Sequence, residues 1–279
     1  MLRLLTPLLL ALTPVWASAS DLPKVVSVNV CTDQLVMLLA DPDQIVSLSD
    51  LSVDPRSSSM ASQAQRFAQN NGRAEAIAVT QPDIVVAGRF TDPALLDMLR
   101  EVGIEVIQFP LTRALDEIPS QLRAMGRVLK QDVAADTLAR DVEDRLANRA
   151  NVEPTAPLAA FFYPNGFALG EGTLSHDILT AGGARNLSAE LGVAGNGRLA
   201  LEQVVLHEPD LLVGSPSYGG FSRSEEMTTH PALGDYPVLH SSPDWVCGTP
   251  YALRAVAQVA DAVDRLVTER RSATQGTTQ

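Results

Sequence analysis

The side chains with the most intrinsic chemistry in this 279-residue sequence are two cysteines, Cys31 and Cys247. They show no Cys-x-x-Cys spacing, so they do not make a zinc site. Two readings stay open: a disulfide, which needs an oxidising compartment, and a pair of small side chains lining a cleft. The four histidines, His176, His207, His230 and His240, are dispersed and read as surface or helix residues rather than converging ligands. Gly214-Ser215-Pro216-Ser217-Tyr218-Gly219 is serine-rich but is not Gly-x-Ser-x-Gly, and no Ser, acid and His set stands out in the order that such a hydrolase needs. No catalytic residue, resident cofactor or metal ligand is assigned, and the chain is not expected to be an enzyme. Binding chemistry is what remains. Aromatics are only 5% of the chain, yet Phe90, Tyr163, Phe167, Tyr218, Phe221 and Trp245 recur just after predicted strands, where Asn29, Cys31, Asp50 and Arg89 also fall. Aromatic planes suit a large flat ligand, and Arg89, Arg223 and Arg254 suit its anionic groups. Tyr163 and Phe167 serve equally well as caps on a lobe core. The candidate ligand-binding set is Cys31, Asp50, Arg89, Phe90, Tyr218, Phe221 and Trp245.

The elements that must position these residues alternate. Short β-rich runs are predicted over 25–28, 44–48, 84–87, 104–107, 158–162 and 211–213. Between them lie helical patterns with readable ends: Thr32-Asp33 opens one, Asp92-Pro93 opens another that closes at Gly103, and Thr249-Pro250 opens the last, which is expected to stop near Arg271. Strand and helix in alternation argue for parallel sheets with helices on their faces. From Asp116 to Arg149 apolar residues recur at helical spacing among many charges, which predicts one long helix or two in tandem, ~45 Å at 1.5 Å per residue, acting as a rod between two halves. The expected division is a signal segment 1–19, an N-terminal lobe 20–113, an interlobe helix 114–150, a C-terminal lobe 151–271 and a disordered tail 272–279.

The beginning of the chain, Met1-Leu2-Arg3 followed by an interrupted apolar run and Ala17-Ser18-Ala19, has the layout of a secretory signal cleaved after Ala19. The run is too short to span a bilayer. Val28-Asn29-Val30 ahead of Cys31 does not look like a lipid-attachment site, so a free periplasmic monomer is expected. With 21 basic against 33 acidic residues, a net charge of −12, the chain is a poor candidate for nucleic acid or for an anionic membrane.

An internal repeat is the most specific feature. Glu75 precedes Pro82-Asp83-Ile84-Val85-Val86 by the same interval at which Glu202 precedes Pro209-Asp210-Leu211-Leu212-Val213. Each copy reads as a helix opened by Glu, halted before Pro, and followed by a buried strand. With Val26-Ser27-Val28-Asn29, Thr32-Asp33-Gln34-Leu35, Gly182-Gly183-Ala-Arg-Asn186 and Ser242-Pro243-Asp244-Trp245, these units give a chain that resembles the class III periplasmic binding proteins of vitamin B12, ferric siderophore and haem ABC importers. The resemblance implies two lobes, each a parallel-sheet α/β sandwich, joined by one long rigid interlobe helix, with ligand captured between them and little closure motion. It implies a large metal chelate as ligand, ferric siderophore and cobalamin standing equal and haem behind them. It also implies an ABC permease dimer with its ATPase subunits as partner, met by Glu75 and Glu202, one per lobe. The rival readings are an exported hydrolase on an α/β scaffold, a metal-ion binder of another importer class, and a sensor or adhesion module on the same fold.

Overall fold

The computed structural model describes residues 22–147, 149, 152–216 and 223–276. The signal segment 1–19 therefore lies outside the described residues. In chain order the N-terminal half contains β1 Val25–Ser27, α1 Val30–Leu39, β2 Ile45–Ser49, α2 Ala61–Ala64, β3 Gln69–Asn70, α3 Ala74–Val79, β4 Ile84–Gly88, α4 Pro93–Glu101 and β5 Glu105–Phe109. After α5 Ile118–Leu129 and α6 Asp132–Leu146 come β6 Leu158–Phe161, β7 Phe167–Leu169, α7 Leu174–Ala181, β8 Arg185–Asn186, α8 Leu187–Glu190, β9 Asn196–Arg198, α9 Leu201–His207, β10 Leu211–Gly214, β11 Val238–His240 and α10 Ala252–Gly276.

The first half forms a parallel sheet of order β3-β2-β1-β4-β5, and the second a parallel sheet of order β11-β10-β6-β8 beside an antiparallel β7-β9 pair. Every residue of β4 and of β10 is buried, as strands covered by helices on both faces require. In each lobe the strand order reverses beside the first strand, between β1 and β4 and between β6 and β10. Such a switch point leaves a crevice beyond the carboxyl ends of the strands. The repeat explains the matching frames. Asp83 accepts the main-chain N–H of Lys24 at 2.7 Å, and Asp210 that of Leu158 at 2.8 Å, so each Pro-Asp step ties the incoming strand to the start of its lobe's first strand.

The connector differs from the expected rod. Lys130 adopts a left-handed backbone, φ 56°, and the chain folds back, so that α5 and α6 run antiparallel. Arg123 on α5 pairs with Asp136 at 3.0 Å and Glu143 at 2.6 Å on α6, and Arg149 returns to Asp116 at 2.8 Å. At 1.5 Å per residue the two arms are about 18 and 22 Å long. The Gln44 amide bonds the carbonyl of Leu129 and the side chain of Gln131, which fixes the turn against the N-terminal lobe. At the other end, the N–H of Leu115 reaches Asp177 on α7 of the C-terminal lobe at 2.6 Å. One hydrophobic cluster runs from Val25 and Leu48 through Leu122 and Met125 of the hairpin to Phe161 and Ile178, so the lobes share a core. Helical periodicity continues through both arms, and the break is carried by Lys130 rather than by glycine or proline.

The C-terminal segment differs too. The stretch expected to be disordered from 272 continues α10 to Gly276, and the Ser272 hydroxyl donates to the carbonyl of Thr268. Polar residues of this kind are compatible with helix when the helix already exists ahead of them. Residues 277–279 lie outside the described set. No helix among the described residues is long and apolar enough to cross a membrane.

Gly126 marks the closest approach in the hairpin, since a Cβ placed there falls 2.3 Å from the Cβ of Ala135. Gly126→Ala is expected to destabilise the protein by about 1–3 kcal/mol although alanine is the better helix former. Ala135→Gly in the same chain is expected to restore most of the loss. A urea unfolding midpoint for the single and double variants checks this, and an unchanged midpoint for Gly126→Ala means the hairpin packs less tightly than described.

Candidate functional site

The site grows from the turn after β1. Asn29 caps α1, its side chain accepting the N–H of Cys31 at 3.0 Å, and the hydroxyls of Ser27 and Thr32 meet at 2.8 Å. Cys31 is thereby held in the first turn of a helix at the mouth of the first switch point. From the other lobe comes the loop after the short helical turn Pro243–Trp245. The Asp244 carboxylate receives both sides of the Arg254 guanidinium, which also lies 4.1 Å over the ring of Tyr251. This clamp presents Cys247 to Cys31, and the two are joined as a disulfide with their Cα atoms 5.2 Å apart. Of the two readings left open by the sequence, the covalent one is the arrangement found. The next residue, Gly248, rests against Thr112 of the N-terminal lobe, where any Cβ would fall 2.3 Å from the threonine side chain.

Two cavities lie at the two switch points. The first, of about 90 Å³, is lined from both lobes, by Asn29, Cys31, Arg89 and Phe109 on one side and by Val246 and Gly248 on the other. The second, of about 170 Å³, is lined by Phe162, Gly214, Ser215, Glu225, Thr228 and His240 at the ends of β6, β10 and β11. Both are small recesses.

Arg89 and Phe90 line the first cavity, and Phe90 is 81% exposed. Asp50 is exposed at the turn after β2 and lines neither cavity. Behind it the buried Asp33 carboxylate accepts the N–H of Ser49 at 3.1 Å and its hydroxyl at 2.5 Å, which anchors that turn to α1. Burial pushes the Asp33 carboxyl up to about 7 despite the hydrogen bonds, and the nearby Asp50 adds to the rise. Tyr218 and Phe221 lie outside the described residues.

Trp245 requires a correction. It is 5% exposed, set edge-on to Phe161 with ring centroids 6.1 Å apart, and its indole N–H donates to Gln258 at 3.4 Å. With Tyr163, which stacks on Phe161 and touches Phe167, it forms an aromatic ladder inside the C-terminal lobe. A tryptophan next to a loop of function is often a support for that loop, because its area favours burial. Arg254 is exposed and pairs with the largely buried Asp244. Glu75 and Glu202 are exposed in the first turns of α3 and α9. Each helix runs antiparallel to the strand that follows it, so both carboxylates sit on the side of the strand carboxyl ends.

His240, read from the sequence as a surface or helix histidine, is exposed and lines the second cavity. The other three histidines have local tasks: His176 meets the Asn186 amide, His207 the carbonyl of Gln203, and His230 accepts the N–H of Ala232. The available signal was position, since His240 is the last residue of a strand in a parallel sheet.

Comparison with known proteins gives a consistent picture. The family described as "Periplasmic binding protein" matches residues 25–239. The cobalamin-binding protein of Halobacterium salinarum is 24% identical over 199 residues, 70% of this chain, and the chain spans about half the length of that relative, 54%. The vitamin B12-binding protein of Salmonella typhimurium is 25% identical over 273 residues, 95% of this chain and 98% of its own length. Among solved structures, the periplasmic heme-binding protein HutB of Vibrio cholerae superposes with a TM-score of 0.71 at 16% identity, covering 85% of this chain and 97% of that one, which is a likeness of fold.

Because 216 residues separate Cys31 from Cys247, opening their bond is expected to lower stability by as much as about 5 kcal/mol, the loop-closure entropy returned to the unfolded chain. Urea unfolding of Cys31→Ser/Cys247→Ser beside the oxidised protein measures it. Equal midpoints show that the lobes are held by their shared core and owe nothing to the bond.

Proposed function

The chain belongs to the periplasmic binding protein family, and on that premise we propose that it is the substrate-binding protein of an ABC importer, carrying a large metal chelate of the cobalamin kind. The observation that carries this reading is the pair of cavities at equivalent switch points of two parallel sheets, with a disulfide bridging the lobes beside one of them. A ligand that fills both recesses must be wide and must offer groups on opposite faces. Phe90 supplies an exposed aromatic plane and Arg89 a cation for carbonyl or anionic side arms. The names of the sequence relatives favour a corrinoid over a ferric siderophore.

Haem is a second reading, supported by His240. Haem iron takes an axial imidazole, and His240 lines the larger recess. The relatives are binding proteins, and this reading assigns no catalysis. Export to the periplasm belongs to the same proposal. It is supported by a disulfide that needs an oxidising compartment.

Capture is read as pre-organised. A shared core, the Leu115 to Asp177 bond and the disulfide all join the lobes. Little of the interaction energy is then spent on closing the lobes. Delivery requires an orientation on a two-subunit permease, and one carboxylate from each lobe, Glu75 and Glu202, provides it.

Trp245, packed against Phe161 and two residues from the bridging cysteine, reports on the opening. Its fluorescence is expected to be quenched by cyanocobalamin with a Kd below about 10 μM, tighter than ~7 kcal/mol. Ferric siderophores and haem form the other arms of the panel, and a Soret shift lost in His240→Ala marks the haem reading. If no chelate binds below about 10 μM, the ligand assignment is wrong.

Glu75→Lys/Glu202→Lys is expected to abolish stimulation of the importer's ATPase while ligand affinity stays unchanged and stability falls by no more than ~1 kcal/mol per site. Wild-type transport by that variant removes the docking role. Lost ligand binding moves both residues into the cleft instead.

A further inference from the structure

The repeat can be divided into positions that the fold uses and positions that it does not. Ile77 and Val204 are buried, at 1% and 0% exposure. Gln81 and Glu208 take matching left-handed backbones, φ 49° and 44°, where each helix gives way to Pro. Asp83 and Asp210 hold the first strands of their lobes. Two positions in each copy have no comparable task. Among the described residues no hydrogen bond or ion pair engages the side chains of Glu75 and Glu202. Four residues further on, Val79 and Leu206 are 83% and 78% exposed, the second with Val205 beside it at 41%.

Residues four apart on a helix share one face. Each lobe therefore shows the same pair, a carboxylate with an apolar side chain one turn below it, at the same place in the same structural unit. A single exposed apolar residue is ordinary on any protein surface. Recurrence at equivalent positions, each time beside the carboxylate, is what a shared partner accounts for.

We propose that Val79 and Leu206 are the apolar half of the docking surface, and that the partner is a two-fold symmetric membrane permease offering, once per subunit, an apolar recess beside a cationic side chain. The proposal rests on the docking reading of Glu75 and Glu202. Two-fold symmetry follows because a partner that engages both lobes at once must repeat its own complementary pair. The two halves do different work. Carboxylates steer the encounter and set its salt dependence, whereas the apolar side chains hold the complex by leaving water, a contribution that salt does not screen.

The test measures binding of the full protein to the importer's permease–ATPase complex in nanodiscs over a series of NaCl concentrations. Val79→Ser/Leu206→Ser is expected to weaken binding by roughly tenfold or more at every concentration, with the slope against salt unchanged. Glu75→Gln/Glu202→Gln is expected to weaken binding and flatten that slope. Val79→Ile/Leu206→Met, which keeps the apolar contact, is expected to bind like the unaltered protein. Thermal unfolding checks that all three variants keep the fold. If the serine pair binds as tightly as the unaltered protein while the glutamine pair does not, the apolar half is refuted and the docking reading stands. If neither pair changes binding, the docking reading itself fails.

Discussion

The covalent link between Cys31 and Cys247 is the constraint on which the other features of the opening depend. It joins the first turn of α1 to the loop that follows Trp245, and so fixes how far the carboxyl ends of the two sheets can part. Gly248 against Thr112 and Leu115 against Asp177 are contacts that this distance permits. The smaller cavity has walls from both lobes only because the loop carrying Val246 is held there. The clamp of Arg254 on Asp244 and the burial of Trp245 stiffen the loop from behind. The gap between the two sheets thus has a width set by the chain itself.

Symmetry between the lobes follows from a simpler source. A strand that must begin beside its lobe's first strand needs a partner for the N–H groups at that edge, and Pro-Asp supplies both the stop and the acceptor. The same solution appears at Asp83 and Asp210. It brings the switch points of the two sheets into corresponding places, and with them the two recesses and the two exposed glutamates. The matching of the two lobes is thus a consequence of how each sheet is started.

Much of this was legible because it rests on local backbone chemistry. Pro-Asp and the strand runs of β-branched residues announce themselves, and Asp92-Pro93 caps α4 as read. The hairpin was not legible. Its reversal depends on a left-handed Lys130, a side chain that carries no turn signal, and on tertiary partners such as Gln44 and Asp136. Trp245 was placed in the cleft on position alone, and only packing against Phe161 reveals its support role. The place of His240 beside the second cavity was not legible, because dispersed histidines look alike until strands are put side by side. Arg89 and Phe90 line the first cavity because they directly follow a strand whose end is unambiguous.

A bond that closes 216 residues also has a history. Synthesis delivers Cys31 near the beginning and Cys247 near the end, so the first thiol must wait for almost the whole chain. With only two cysteines in the sequence, no mispaired form of a single chain exists, and the competing product is a bond between two molecules. Packing of the Asp244 loop onto Arg254 and Gln258 holds the second cysteine in place. The bridge thus joins two distant stretches of chain that the assembled lobes hold side by side.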